Sequence, residues 1–400
     1  MSQSKIKQKP TDFIVEEIPE IVPNSSGPFS FYKLEKTGWT TPDALMRIRR
    51  EWNIEARRLS YGGLKDRHAQ TTQYFTIHGG PNRSLNLPGI RVQFSGFYKE
   101  PYGATHFNAN QFHLILRNIS GIQKEKLAEI CQILPQAGVP NYFDDQRFGS
   151  INHLQDGFIG KHMVLGNFEE ALKLALTLHY AHDKADIRHE KKHLQDHWGN
   201  WPECKDGLGK CHSRSIIDYL VHHPQGFKAA AERLRPELSG LYLSAYQSHI
   251  WNLVLAEWIR SKLPKEKTYP LKLKLDQFPA PKERMPLGSH AMERIPLPSV
   301  RLKIDPDHPF HNLIQEVLSQ EGLTLEKMKV SGSRKLFFSR GERLAFYFPE
   351  DFKAQTHEDE LHHGKTALKM SFRLPKGSYA TLLIKSVQSL LKLHQVGERS

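Results

Sequence analysis

The stretch that most constrains this chain runs from Tyr61 to Ile77, YGGLKDRHAQTTQYFTI. Residues 56–60 before it, and Gln73-Tyr74-Phe75-Thr76-Ile77 at its end, both read as short strands. Two glycines and a burst of charge interrupt them. Glycines at such a break let the backbone take positive φ or approach a neighbour closely. Asp66 then sits on a strand-to-strand loop between Lys65 and Arg67. Flanking cations favour an ionised carboxylate. An ionised carboxylate on a loop held by two strands has the chemistry of a nucleophile. The segment also fits an ordinary solvated hairpin tip, and these residues alone leave both readings open.

Charge narrows the partners. Lys plus Arg total 56 against 43 acids, a formal +13, with a pI near 9.4. That excess suits a polyanion, most simply nucleic acid. Three cysteines in 400 residues argue against a disulfide framework and for a reducing compartment. No run of about 18 apolar residues occurs, so no membrane-spanning helix is expected. The N-terminus lacks the apolar core of a secretory signal. A cytoplasmic protein without a membrane partner is expected. The length allows two or three domains.

The chain around the Gly-Gly stretch reads as alternating strands and helices. Strands are expected over 12–18, 29–35, 91–97 and 110–117, with Phe13 and Val15 on one side of the first. Thr41-Pro42-Asp43 supplies an N-cap, a helix-opening proline and a first-turn acid for a helix to Trp52. A helix over 124–136 points Leu127, Ile130, Cys131 and Leu134 inward. Residues 138–149, GVPNYFDDQRFG, pack an Asn, two aromatics, two acids, a Gln and an Arg between glycines. Aromatic faces stack bases, amides read base edges and arginine takes phosphate. The same aromatics also suit loop anchoring in a core.

After Gly160 the composition changes. Asn167-Phe168-Glu169-Glu170 reads as a capping box opening a helix that ends near His179. His189, His193 and His197 share one helical face, but Cys204, Cys211 and His212 match no standard zinc spacing. A long amphipathic helix is expected over 241–262, with Tyr246, Ile250, Trp251 and Trp258 on its stripe. Residues 269–306 read as loops and short strands, and 311–320 as a helix. Finally a strand from Lys369 meets Leu374-Pro375-Lys376-Gly377, and a helix opens at Ser378, whose N-terminal amides suit phosphate.

Seven of these segments resemble, in the same order, the motifs of the TruD family of pseudouridine synthases. The core YGGLKDRHA is similar to the family's G-x-K-D-x-x-A, whose Asp is the nucleophile; the resemblance puts that role on Asp66. Lys7-x-x-Pro10-x-Asp12-Phe13-x-Val15-x-Glu17 resembles the N-terminal motif, in which Lys7 would reach the catalytic carboxylate. His106, Asn110 and Phe112 resemble a third motif. Asn141 to Gly149 is similar to N-Y-F-G-x-Q-R-F-G: Phe143 would stack on the target uracil, Asn141 would bond near it, and Gln146 and Arg147 would brace the loop or touch RNA. Asp144 stands where that motif has Gly. Lys65 joins the implied substrate contacts. Leu243 to Ser248 with Trp251-Asn252, the Arg334-Lys335 pair and Leu374 to Thr381 complete the match. Implied RNA-backbone contacts are Arg67, His68, Arg334, Lys376 and Ser378.

The resemblance implies an α+β protein. It would have a pseudouridine-synthase catalytic domain, with a mixed, mainly antiparallel sheet and flanking helices, over 1–154 and 339–400. An inserted α/β TRUD domain would span 155–338. The implied activity isomerises uridine to pseudouridine in RNA, most simply uridine 13 of tRNA, by a monomer with no cofactor and no metal. A non-catalytic RNA-binding protein of the same fold, or a synthase acting on another RNA, remains an alternative. So does a metal-dependent hydrolase built on the histidine face. A third alternative is an RNA methyltransferase, but the sequence shows no Gly-rich loop after a strand of the kind that would hold its cofactor.

Overall fold

The structure is a computed structural model describing residues 4–120, 124–180, 183–285, 293–333 and 335–397. The chain divides into two compact units. The first is Met1–Val139 with Pro281–Arg284 and Phe346–Ser400; the second is Pro140–Ala280 with Met285–Ala345. The change of unit thus falls earlier than the boundary expected at 155. The reason is local: the loop after Pro140 has its backbone held by the long helix of the second unit, through Asn252.

In the first unit a nine-stranded sheet forms among the described residues. Its strands include β1 (Phe13–Pro19), β2 (Phe29–Lys36), β3 (Leu59–Tyr61), β4 (Gln70–His78), β5 (Leu85–Leu87), β6 (Ile90–Tyr98) and β7 (Phe107–Ile119). The strands Glu350–Glu358 and Thr366–Pro375 complete it. From one edge the order is Glu350–Glu358, Thr366–Pro375, β7, β1, β4, β2, β6, β5. Only β1 and β4 run parallel; the other pairs are antiparallel. The sheet is therefore mixed and mainly antiparallel. Three residues read as strand, Ala56–Arg58, form a 3-10 turn instead, so β3 is short.

One detail of register sets up the site. Along one edge, β4 pairs with β2 over eight residues, Thr71 to His78. Its other edge is shared: β1 takes Gln70–Thr72 and β3 takes Phe75–Ile77. Gln73 and Tyr74 fall in the gap. The Gly62–Ala69 loop leaves β3 and returns into β4 at this split edge.

One face of the sheet is covered by helices, while the other leaves Glu16, His113 and Lys369 exposed. Helix α1 (Thr41–Trp52) puts Leu45, Ile48 and Trp52 against Tyr32, Leu34, Phe75 and Val92. Its N-cap is Thr40, one residue earlier than expected, whose hydroxyl accepts from the Asp43 N–H at 3.2 Å. Thr41 is thereby freed for another task. Helix α2 (Lys124–Ala137) packs against the C-terminal helix Ala380–Gly397 and buries Leu127, Ile130, Cys131 and Leu134. On the opposite face Phe31, Tyr102 and Phe107 cluster.

The second unit is built mainly of helices. Its long helix, Pro236–Lys262, is not the one-striped amphipath expected. Eight consecutive residues, Ala245–Asn252, are all buried, so the helix runs through the middle of its unit. Its polar residues pair inside: Gln247 donates to the Pro298 and Ser339 carbonyls, at 3.0 and 2.8 Å. The helix Phe168–Thr177 has Asn167 at its N-cap but no side-chain cap bond, so no capping box forms. No described helix is long and apolar enough to cross a membrane.

Candidate functional site

The first unit brings Lys7 and Asp66 together from 59 residues apart. The Lys7 ammonium donates to Asp66 Oδ2, and it also lies 4.2 Å from the Phe13 ring centroid. Lys7 does not fray. Lys5 exchanges both backbone hydrogen bonds with Arg117, at 2.9 and 2.8 Å. Asp12 then grips the Arg117 guanidinium through Nε and Nη2, at 2.8 to 3.0 Å, and Asp359 takes Nη1 at 3.0 Å. With both flanks tied to β7, Lys7 adopts φ 56°. That left-handed conformation costs a non-glycine residue roughly 1–3 kcal/mol, and such strain gathers at functional sites.

The Asp66 loop is pinned from beneath. Lys36, at the end of β2, is 2% exposed. Its ammonium donates to the Trp39 carbonyl at 2.8 Å, the Asp66 carbonyl at 2.9 Å and, more weakly, the Lys65 carbonyl at 3.4 Å. Burial lowers its pKa to about 8, although the nearby Asp66 charge works the other way. Thr41 Oγ1 accepts from the Lys65 N–H at 3.0 Å and donates to Gln73 Oε1 at 2.8 Å. Gln73 Nε2 reaches the Gly63 carbonyl at 3.3 Å. So the gap in the β4 edge is filled by a side chain that fixes the loop. Gly62 is needed for close approach rather than for positive φ. A Cβ there would lie 2.8 Å from Phe107 and 3.0 Å from Tyr102.

Two effects compete at Asp66. Burial raises its pKa; the Lys7 hydrogen bond, the His68 N–H bond and the Lys7 charge lower it and prevail. The His68 amide donates to Oδ1 at 2.9 Å. The result is a carboxylate held ionised below its ordinary range, with its side chain still 25% exposed. A water-accessible anion, oriented through both oxygens, can act as nucleophile or base.

Lys65, expected to contact substrate, is spent elsewhere. Its ammonium donates to Glu17 Oε2 at 2.6 Å, with side-chain exposures of 7% and 0%. Tyr102 OH donates to Glu17 Oε1 at 2.8 Å. A buried carboxylate needs such partners, and the pair ties β1 to the loop. Arg67 and His68 are exposed; Arg67 donates through Nε to the Gly38 carbonyl at 3.2 Å. Lys376 donates to the Ala104 carbonyl. Ser378 lies before the helix rather than at its cap, since the helix starts at Ala380. Its N–H closes the turn on the Pro375 carbonyl at 3.2 Å, and Gly377 at φ 85° makes that turn possible. Arg334 lies outside the described residues.

The second unit holds the Asn141–Gly149 loop. Asn252 clamps Phe143 on both sides: its Oδ1 accepts from the Phe143 N–H at 2.7 Å and its Nδ2 donates to the Phe143 carbonyl at 3.0 Å. The Phe143 ring is 7% exposed, edge-on to Trp251 at 5.4 Å. The Arg343 and Arg147 guanidiniums lie 4.5 and 5.2 Å from its centroid. The ring thus offers no open face. Asn141 is a loop anchor: Nδ2 donates to the Leu344 carbonyl at 3.1 Å, and Arg343 donates to its carbonyl and Oδ1. Arg147 also donates to Ser244 Oγ at 2.9 Å, while Gln146 is exposed. Asp144 has φ −86°, ordinary for any residue, so replacing the motif's glycine carries no backbone strain.

The histidine face holds no ligand set. His193 Nε2 lies 3.0 Å from the Glu203 carbonyl, and His197 Nδ1 lies 2.9 Å from the His193 carbonyl. No group of three or more His, Cys, Asp or Glu placed to hold a metal occurs among the described residues.

Sequence reading missed Lys36, Gln73, Tyr102 and Arg343 as site residues. Glu17 lay within a quoted motif without a role. For Lys36 a signal existed: a lysine at an inward position of β2, where alternation calls for an apolar side chain.

Comparison with known proteins follows the same lines. The family described as tRNA pseudouridine synthase D (TruD) matches residues 2–272 and 281–387. A Methanococcus maripaludis protein, named a probable tRNA pseudouridine synthase D 1, is 31% identical over 97% of this chain and 100% of its own. A tRNA pseudouridine synthase D of Leptospira interrogans is 31% identical over 95% of each. A solved Methanosarcina mazei structure assigned to TruD superposes with TM-score 0.75, covering 98% of this chain and 94% of that one at 24% identity. That last likeness concerns the fold.

Proposed function

This chain belongs to the TruD family of tRNA pseudouridine synthases, and from that premise we propose that Asp66 is its nucleophile and uridine 13 of tRNA its target. The enzyme is an isomerase: it breaks the bond from uracil N1 to the ribose C1′ and joins C5 to C1′ instead. The unit carrying Asp66 is the catalytic domain, and the other is the insertion.

The observation that carries the reading is the Asp66 carboxylate, gripped by Lys7 and the His68 amide and held ionised. Each route open to it needs that charge. It can attack C1′, attack uracil C6, or take a sugar proton to leave a glycal. The uracil then turns, C5 bonds to C1′, and the C5 proton leaves. Lys7 is the counterion that keeps Asp66 charged and aimed. The target base is flipped out at a cost of a few kcal/mol. Phe143 takes it by exchanging the Arg343 guanidinium, itself planar, for the pyrimidine. Asn141 holds that loop in place. Gln146 and Arg147 meet the RNA, and Arg67, His68, Lys376 and Ser378 meet its phosphates.

The test is Asp66→Asn, which keeps the shape and removes the charge. Pseudouridine mapping of an unmodified tRNA transcript should show none at position 13, while gel-shift affinity for that transcript stays within a few-fold. Product formed at the normal rate would overturn the Asp66 assignment. Parent enzyme that forms pseudouridine at another position, lost in Asp66→Asn, would overturn only the target.

A further inference from the structure

In the second unit, residues 299–301, 328–333 and 336–338 enclose a cavity of about 410 Å³, a size common to small-ligand clefts. Its two walls are cross-tied where the Val300 N–H donates to the Met328 carbonyl at 3.0 Å. Ser333 Oγ accepts from the Lys335 and Leu336 N–H groups, each at 3.3 Å. Leu336 and Phe338 point inward, 6% and 4% exposed. The alternation throws Phe337 outward, 58% exposed. The Arg301 guanidinium lies 5.5 Å from the Phe337 ring centroid. Lys329, on the cavity wall, and Lys335, on the same turn, are exposed.

We propose that this cavity is an RNA subsite that takes one unpaired nucleotide of the tRNA, its base against Phe337 and its phosphate on Arg301 and Lys329. The proposal rests on the tRNA reading above. The chemistry is specific in kind. An exposed aromatic face serves any base, because every base has a π-face. A guanidinium beside it can leave the ring for a phosphate, which it binds with two parallel hydrogen bonds. The nucleotide must be unpaired, because only a splayed base can reach the ring. An apolar protein partner would leave the Arg301 and Lys329 charges without counter-ions, whereas RNA neutralises them.

The test uses the full-length protein with Phe337→Ala, Phe337→Trp and Arg301→Gln. Affinity is read by fluorescence anisotropy for an unmodified tRNA transcript and for a blunt RNA duplex. Phe337→Ala should weaken tRNA binding by roughly 5- to 150-fold, the range for losing one stacked base, with kcat/KM falling in step. Duplex affinity should not move, and Phe337→Trp should restore tRNA binding. Arg301→Gln should flatten the salt dependence by about one phosphate contact. Three results overturn the subsite: tRNA affinity within two-fold of the parent in Phe337→Ala, equal losses for tRNA and duplex, or no rescue by Trp. A parent protein that binds tRNA but forms no pseudouridine overturns the activity reading instead, and leaves the binding comparison intact.

Discussion

Replacing Lys7 by Met removes one ammonium and keeps most of the side chain's length. Asp66 then loses the partner that, with the His68 amide, outweighs the upward push of burial. A hydrogen bond to a charged group is worth about 1.5–3 kcal/mol. Losing it lets burial push the Asp66 pKa back up. With Lys7 and Asp66 side chains 19% and 25% exposed, solvent screens part of this, which puts the loss toward the lower end of that range. The sign follows from the folded state. A carboxylate with a lowered pKa is ionised above that pKa, so the rate is lost as pH falls through it. Lys7→Met moves that loss to higher pH. It also removes stability that is present above the unfolded carboxylate pKa and lost as pH falls through the folded one.

The assay is single-turnover release of tritium from C5 of uridine in a tRNA transcript, with enzyme in excess, followed down the acid side. An acid limb displaced to higher pH supports the argument. An acid limb at an unchanged pH, with the rate merely scaled down, refutes it: Lys7 would then place Asp66 without setting its charge.

Two further substitutions probe what lies beneath the loop. Lys36→Met removes the ammonium that holds the Asp66 and Trp39 carbonyls, and kcat should fall roughly 10- to 150-fold at unchanged tRNA affinity, as for one lost charge-assisted bond. In the parent the folded Lys36 gives up its proton near pH 8, the unfolded one near 10.4. Between those values the unfolded state binds more protons, so stability rises with pH. Urea unfolding should show that rise in the parent and not in Lys36→Met, and the same slope in both would clear Lys36. Arg117→Met strands the buried carboxylates of Asp12 and Asp359 and should cost about 3–5 kcal/mol in urea unfolding. A loss below about 1 kcal/mol would mean the network does not hold the N-terminal segment.

The contiguous parts of this site were legible in the sequence, and the long-range parts were not. Asp66 could be found because its glycines, its flanking charges and the two strands around it are neighbours in the chain. The helices Thr41–Trp52 and His311–Gln320 were legible for the same local reason, caps and period. Lys65 shows the limit. Beside Asp66 in sequence it looks like a ligand for substrate, but β1 carries Glu17 next to it, and a pairing of residues 48 apart leaves no local mark. Phe143 shows the same limit: its aromatic setting suggests an open platform, whereas Asn252, Trp251 and Arg343 pack around it from positions over a hundred residues away. For the long helix the spacing marks one buried stripe that includes Gln247, but leaves no sign that Asn252 is bonded inside as well.

Three lysines near Asp66 show why net charge alone could not have located the site. Lys7 is partly exposed and paired with the carboxylate itself, so it sets the charge of Asp66. Lys65 is buried against Glu17, so its charge is cancelled within the fold. Lys36 is buried against carbonyls, where it is bonded but not neutralised. Of the three, Lys36 has the environment that disfavours its charged form, and it is the one attached to the Asp66 backbone. Holding an ammonium there opposes stability below pH 8. An apolar side chain at the same inward position would avoid that cost but would leave the Asp66 and Trp39 carbonyls unbonded. The fold keeps a costly cation where it fixes the peptide that carries Asp66.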